Sequence, residues 1–295
     1  MNATNTIIPT GTEEHYNSCY TDWGVGIATL SSLSLLINIF HLVIIGKMKS
    51  LKDRPYKLIL IHITLGDIGT ALTLIPVYAC PPILSLTDRI TGVQLMAFVV
   101  SYPLYTTHWI FVVASMEQYY RICRPFQYEA STFVKKLSLI LISTWIINFC
   151  YVGLLVVFTW YVRTEAPHLK SAVQVAAYLS RYVPMIVAAV FFTLTIRELR
   201  KMRQTEMAGG QIQVYDAAVY VIIIYSIFSA SAILDLILTS IHIAGSVQMP
   251  FSPGRLRNVA KSVYGISNTV IYGFRTKAYR RSIVRAFCGK YDQRE

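Results

Sequence analysis

Charged residues are scarce in this 295-residue chain, at 14% of the total, whereas hydrophobic residues make up 54%. A soluble domain usually contains about a quarter charged residues. The deficit therefore argues against an ordinary soluble enzyme or binding domain and indicates a protein that lies in lipid. The formal net charge of +12 is interpreted as a signal of membrane topology, and no nucleic-acid partner is expected.

Stretches with at most one charged residue occur seven times, and nearly all are long enough for a helix to cross a bilayer, which takes about 20 apolar residues. Helices are expected because lipid offers no partner to open backbone groups. The predicted spans are residues 24–46, 58–87, 90–116, 137–162, 171–196, 217–254 and 258–274. The sequence thus predicts an all-α membrane protein with a seven-transmembrane helix bundle over residues 24–274.

Cations are absent from the first 46 residues and are concentrated in alternate loops and in the tail. Loops rich in Lys and Arg remain cytoplasmic. We therefore expect a multi-pass protein of the plasma membrane, with residues 1–23 extracellular and residues 275–295 cytoplasmic. No apolar signal peptide precedes the first span, which is expected to act as its own insertion signal.

Candidate modification sites follow from this topology. Asn2 begins the glycosylation sequon N-A-T on the predicted outer side. Cys19 and Cys80 lie on the same side, where they could form a disulfide or remain two thiols. Residues 275–288 place apolar residues and cations at helical spacing, which predicts a short amphipathic C-terminal helix on the inner leaflet. Cys288 at its end is a candidate for palmitoylation.

Polar and aromatic motifs follow one another along the spans. The first span carries Asn38 in N-I-F-H-L-V, and the second carries Asp67 in H-I-T-L-G-D. The third ends in E-Q-Y-Y-R-I-C-R-P-F-Q-Y, and the other landmarks are Trp145, Pro184 and N-T-V-I-Y at Asn268–Tyr272. In order and depth, these motifs resemble those of the rhodopsin-like G-protein-coupled receptors. That family has D-R-Y-x-x-x-x-x-P-x-x-Y at the end of the third span and N-P-x-x-Y in the seventh.

The resemblance implies a cytoplasmic switch that meets a heterotrimeric G protein or arrestin. The residues it assigns to this switch are Glu117, Gln118, Tyr119, Arg121, Asn268 and Tyr272. Gln118 stands where the family has arginine, and a neutral amide makes weaker bonds than a charged group. Arg121 lies one turn further on and is expected to replace that arginine in part.

Other departures affect the helices that move in this family. The sixth span lacks the family's tryptophan and proline, and Thr269 replaces the proline of the seventh span. Without proline, the usual cause of a kink is missing. Phe228 is the candidate for the remaining aromatic residue of the switch. The family's third-span cysteine, expected near Val93, is also missing.

Ionisable groups at membrane depth are costly and suggest functional sites. Asp67 could bind sodium together with oxygen atoms of three neighbours, or belong to a hydrogen-bonded network without an ion. The predicted sodium ligands are Asp67, Asn38, Thr107 and Asn268. No other cofactor is expected.

A second group of charges, in the outer halves of three spans, suggests a small ligand from outside, anionic or lipid-like. An ion-pair network that fixes helix packing is the alternative. The candidate ligand-binding residues are Arg181, Asp235, Lys261, Tyr102 and His108. The third span has no charge from Ile90 to Met116, which argues against an amine ligand.

Four other classes of protein are compared with a receptor for an extracellular ligand. An opsin-like photoreceptor would use Lys261, but that lysine lies eleven residues before Tyr272 where opsins have ten, a rotation of about 100°, so retinal is not expected. A transporter would show an internal repeat, which is absent. An enzyme would need a nucleophile with a base or clustered metal ligands, and neither is found. A non-signalling seven-span protein remains open.

Overall fold

The computed structural model describes residues 11–47, 55–79, 89–130, 132–165, 169–204, 219, 221–227, 229–230, 232–234, 236–237, 253–275, 279–280 and 283–284. Within these ranges the regular structure is helical throughout. The helices are α1 (Gly11–Lys47), α2 (Pro55–Ala79), α3 (Arg89–Cys123), α4 (Pro125–Ala130), α5 (Thr132–Lys135), α6 (Leu137–Glu165), α7 (Lys170–Gln204) and α9 (Pro253–Arg275). We name the described helical residues from 221 to 237 α8.

Four stretches of the described helices are long and apolar enough to cross a membrane. They are Gly24–Lys47, Pro55–Tyr78, Leu137–Val162 and Tyr182–Lys201. The first begins where the sequence predicts the first span, although α1 itself starts earlier, at Gly11. A shorter apolar helix covers Val221–Leu234. The other two long helices are α3 and α9.

Helix α3 occupies the centre of the bundle and packs against α2, α6 and α7. Helix α1 packs against α2 on one side and against α9 on the other, and α2 also touches α9. The first and last helices of the bundle are therefore neighbours. We call the end of the bundle that contains Glu117 of α3 the inner end.

The apolar side chains form a buried core and an exposed surface that is turned away from the other helices. Ile59, Ile63 and Phe111 are among the fully buried residues of one large cluster that joins the helices at their inner halves. In contrast, α6 exposes large apolar residues along its outward side, including Ile146 and Leu154. An apolar surface of this extent is stable against acyl chains but would not be stable in water.

The described residues beyond α9 return to the bundle at α1. Residues 279–280 and 283–284 are helical. The Tyr279 side chain is 1% exposed, and its hydroxyl lies 2.8 Å from Nδ1 of the equally buried His41 in α1. The two rings are 5.2 Å apart, centroid to centroid. A buried polar contact thus anchors the start of the predicted amphipathic helix to α1. The spacing of the apolar residues in that helix did not predict this contact.

Tyr279→Phe is expected to lower stability by about 1 kcal/mol, because one buried hydrogen bond is lost while the ring remains. Thermal unfolding of the purified protein in detergent measures the effect. In a cycle with His41→Phe, the double variant should lose less than the sum of the single variants. Additive losses would show that the two side chains do not act on each other.

Candidate functional site

The carboxylate of Glu117 is the centre of a buried cluster at the inner end of α3. The Glu117 side chain is fully buried, and its Oε1 accepts a hydrogen bond from Nη2 of Arg121 one turn later in the same helix. Its Oε2 accepts a hydrogen bond from Nε2 of Gln118, at 2.9 Å. Arg121 thus brings a positive charge to Glu117 and forms an ion pair, whereas Gln118 contributes an uncharged donor.

Tyr128 ties the loop helix α4 to this cluster. Its hydroxyl donates to Oε1 of Glu117 at 2.7 Å, and the Arg121 guanidinium lies 5.5 Å from the centre of its ring. Burial, followed by the negative charge of Glu117, raises the pKa of the Tyr128 phenol well above its ordinary value. The phenol therefore keeps its proton at any physiological pH and remains a donor. Sequence reasoning missed this residue, although the P-x-x-Y spacing contained it.

The bond between Tyr128 and Glu117 orients α4 so that one aromatic side chain is exposed. Phe126 is 94% exposed, next to the exposed Arg124 and Gln127. Backbone bonds from Gln127 and Tyr128 to the Arg124 carbonyl, both 3.0 Å, fix the start of the helix. Large apolar side chains presented on an ordered element in this way are typical of protein interfaces.

Gln118 is completely buried, and within the described part of the chain its Oε1 has no hydrogen-bond partner. An unpaired buried acceptor destabilises the state in which it lacks a donor, and a state that supplied one would not carry that cost. Tyr119, the next residue, packs edge-on against Tyr120 and Phe191 of α7. The switch predicted from the sequence therefore touches α4 through Glu117 and α7 through Tyr119.

Tyr225 of α8 holds the sixth span against α3 and α7. Its ring lies 4.6 Å from that of Phe192 and 5.7 Å from that of Phe111, centroid to centroid. Its hydroxyl donates to the main-chain carbonyl of Met185 at 2.5 Å. This aromatic cluster joins three helices, and the sequence analysis did not single it out. The candidate named there, Phe228, lies outside the described residues.

A line of polar contacts joins α1 to α9. Asn38 donates from Nδ2 to the carbonyls of Ser34 and Gly265, at 2.9 and 3.0 Å. Its Oδ1 accepts from the hydroxyl of Thr269 at 3.3 Å. About two turns further from the inner end, the hydroxyls of Ser31 and Ser262 are 3.0 Å apart. Thr269, which replaces the family's proline, thus bonds α9 to α1 through its hydroxyl.

The predicted sodium ligands lie near this line. Asp67 is 5% exposed and Thr107 is 3% exposed, on the facing helices α2 and α3. Thr107 donates its hydroxyl to the Pro103 carbonyl at 2.9 Å, which leaves its oxygen lone pairs. Both ends of the Asn38 amide are already bonded to protein atoms. The sodium site remains a prediction, and Asp67 and Thr107 are the described oxygen donors for it.

The candidate ligand residues that can be described are spread over different environments. Tyr102 packs edge-on against Trp145 and Phe149 of α6 and donates to the Trp145 carbonyl at 3.3 Å. His108 is 1% exposed, with Nδ1 2.6 Å from the Leu104 carbonyl. Lys261 is half-buried in α9. Tyr102 and His108 therefore make packing contacts, and their part in ligand binding remains a prediction.

Other predicted residues have side chains outside the described part of the chain. They are Asn2, Cys19, Cys80, Arg181, Asp235, Asn268, Tyr272 and Cys288. Within the described residues, no group of three or more His, Cys, Asp or Glu side chains could hold a metal ion.

Comparison with known families gives one match. The model of the 7 transmembrane receptor (rhodopsin family) matches residues 37–273, about four-fifths of the chain. No curated protein matched the chain significantly. The match begins one residue before Asn38 and ends one residue after Tyr272, so it contains all the span motifs on which the resemblance rests. It confirms the all-α, seven-transmembrane bundle, in which α3, α8 and α9 complete the spans. The chain therefore belongs to the rhodopsin family of seven-transmembrane receptors.

Proposed function

We propose that the chain is a plasma-membrane receptor that passes a signal to a heterotrimeric G protein at its inner end. The single observation that carries this proposal is the exposure of Phe126 on an α4 helix held by the Glu117–Tyr128 bond. An exposed aromatic residue on an ordered element has the properties of an interface anchor. The cations around the inner end support a cytoplasmic location for it. Arrestin is the second candidate partner for the same surface.

The signal would come from a small ligand at the outer end, where the sequence places Arg181, Asp235 and Lys261. Two cations and one anion favour a ligand with a carboxylate or phosphate group, or an anionic lipid. Such a receptor catalyses no reaction. Helix rearrangement would transmit binding, with Tyr225 and the Glu117 cluster as the contacts that must change between states.

Phe126→Ala is expected to weaken binding of a nucleotide-free G protein to the purified receptor in nanodiscs by about thirtyfold, the effect of losing one interface hot spot of about 2 kcal/mol. The measurement is a binding titration with one G protein of each class and with arrestin. Gln127→Ala is the matched control because Gln127 is also exposed on α4. Its affinity should remain within about twofold of wild type.

A second variant tests whether the chain signals at all. Gln118→Arg restores the family's residue next to Glu117 and should raise basal nucleotide exchange by the G protein. If wild type and Gln118→Arg both fail to bind or activate every G protein and arrestin, the chain is a non-signalling member of the family and the proposal is wrong. If Phe126→Ala and Gln127→Ala bind alike, α4 is not the contact surface.

A further inference from the structure

Helix α7 has an exposed stripe that changes from apolar to cationic toward its inner end. Ile186 and Val190 are 64% and 54% exposed. Thr193, Arg197 and Arg200 continue the stripe at intervals of three and four residues and are also exposed. Residues at this spacing share one face of a helix. At the cationic end a groove of about 590 Å³ is lined by Thr193, Ile196, Arg197, Arg200 and Lys201.

The stripe faces away from the bundle. Ala188, Phe192, Thr195 and Leu199 are buried and mark the face of α7 that packs on its neighbours. Leu199 packs with Ile122 at the end of α3. Arg197 is two residues, about 200°, from Leu199 around the helix. The groove therefore lies on another side of α7 from the switch cluster of α3.

The cations of the groove are only partly neutralised. Lys201 pairs with Glu198 at 3.1 Å. In the part of the chain that the structure describes, no carboxylate pairs with Arg197 or Arg200. The Thr193 hydroxyl donates to the Ala189 carbonyl at 2.7 Å, so its proton is already bonded within the protein. Two guanidinium groups are thus available to an anion, and their planar shape suits phosphate oxygens.

We propose that this groove is a binding site for an anionic phospholipid, with its phosphate on Arg197 and Arg200 and its acyl chain along Val190 and Ile186. The chemistry matches at both ends of the stripe: cations at the depth of the headgroups, and exposed apolar side chains toward the bilayer centre. The assignment to the inner leaflet rests on the orientation given in the proposed function. The site itself does not depend on that orientation.

The test uses the full-length receptor in nanodiscs of phosphatidylcholine that contain a small fraction of fluorescent phosphatidylinositol bisphosphate. Energy transfer from a donor dye on the receptor reports lipid binding, and unlabelled phosphatidylserine and phosphatidylcholine compete for it. Arg197→Gln together with Arg200→Gln is expected to weaken binding by about tenfold or more, because two surface cations are lost. Lys47→Gln together with Lys135→Gln is the matched control, since both lysines are exposed at the ends of other helices.

Equal losses of lipid binding in the two double variants would show a general effect of surface charge and would contradict the proposed site. Soluble inositol trisphosphate that binds the detergent-purified receptor as tightly as the lipid would also overturn it, because the apolar stripe would then add nothing. A loss of G-protein binding without a loss of lipid binding would assign the arginines to the protein partner instead. Both nanodisc leaflets have one composition, so the lipid result does not depend on the orientation of the receptor. A negative result leaves the signalling proposal untouched because that proposal rests on Phe126 of α4.

Discussion

Replacing Glu117 by alanine is expected to cost about 3–5 kcal/mol of stability, because it removes one partner of a buried ion pair and leaves the other buried. The Arg121 side chain is only 14% exposed, and the Glu117 side chain is fully buried. The same substitution takes away the acceptor for the Tyr128 hydroxyl and for the Gln118 amide. Three side chains on two helices lose their common partner, and of the described side-chain bonds between α3 and α4 the 3.3 Å bond from Arg121 to the Tyr128 hydroxyl remains.

Thermal unfolding in detergent, with circular dichroism at the helix band, measures the cost. Glu198→Ala is the matched control: it also removes a glutamate from an ion pair within one helix, but the Lys201 and Glu198 side chains are 60% and 37% exposed. An exposed pair of this kind contributes at most about 1 kcal/mol. If the two variants unfold at the same temperature, the Glu117 cluster does not stabilise the inner end.

Gly265→Val is expected to destabilise the bundle by about 3 kcal/mol, through overpacking where α9 meets α1. A β-carbon at Gly265 would lie 2.6 Å from the Ser34 hydroxyl and 3.6 Å from Nδ2 of Asn38. Contact at 2.6 Å is too close for carbon and oxygen, and Ser34 already bonds to Asn38. Helix α9 would have to move away from α1, and the Asn38–Gly265 and Asn38–Thr269 bonds would lengthen together.

Gly26→Val provides the comparison, because a β-carbon at Gly26 meets nothing within 4 Å. Its stability should remain within about 0.5 kcal/mol of wild type, as for other substitutions away from packed features. Unfolding temperatures of both variants, measured in one detergent, test the pair. A Gly265→Val protein as stable as Gly26→Val would show that α1 and α9 are not held close at this level.

The seven spans and the family could be predicted from the sequence because both depend on patterns along the chain. Uncharged runs of about 20 residues have few alternatives in a bilayer, and landmarks such as Asn38 and Asp67 occur once per span at set depths. The family match confirms this prediction. The start of α1 at Gly11 was not predicted, because hydropathy marks where a helix enters the membrane and not where it begins.

The contacts of the inner site were harder to predict because they join distant segments. The partnership of Arg121 with Glu117 follows from an i, i+4 spacing and could have been stated outright. The bond from Tyr225 to the Met185 carbonyl and the His41–Tyr279 contact cannot be read from spacing, since their partners are 40 and 238 residues apart. Nor does the sequence show that the Thr269 hydroxyl would bond to Asn38, 231 residues away.

The seam between the first and last spans has a consequence for how the protein is made. Asn38 and Gly265 are separated by 227 residues, yet their atoms are in hydrogen-bond contact. Translation delivers α1 to the bilayer long before α9 has been synthesised. During that interval the Asn38 amide has only its own helix to bond, in a medium that penalises unpaired polar groups. The α1–α9 contact can therefore form only after α9 has been made, and a chain that stops before α9 leaves the Asn38 amide incompletely bonded.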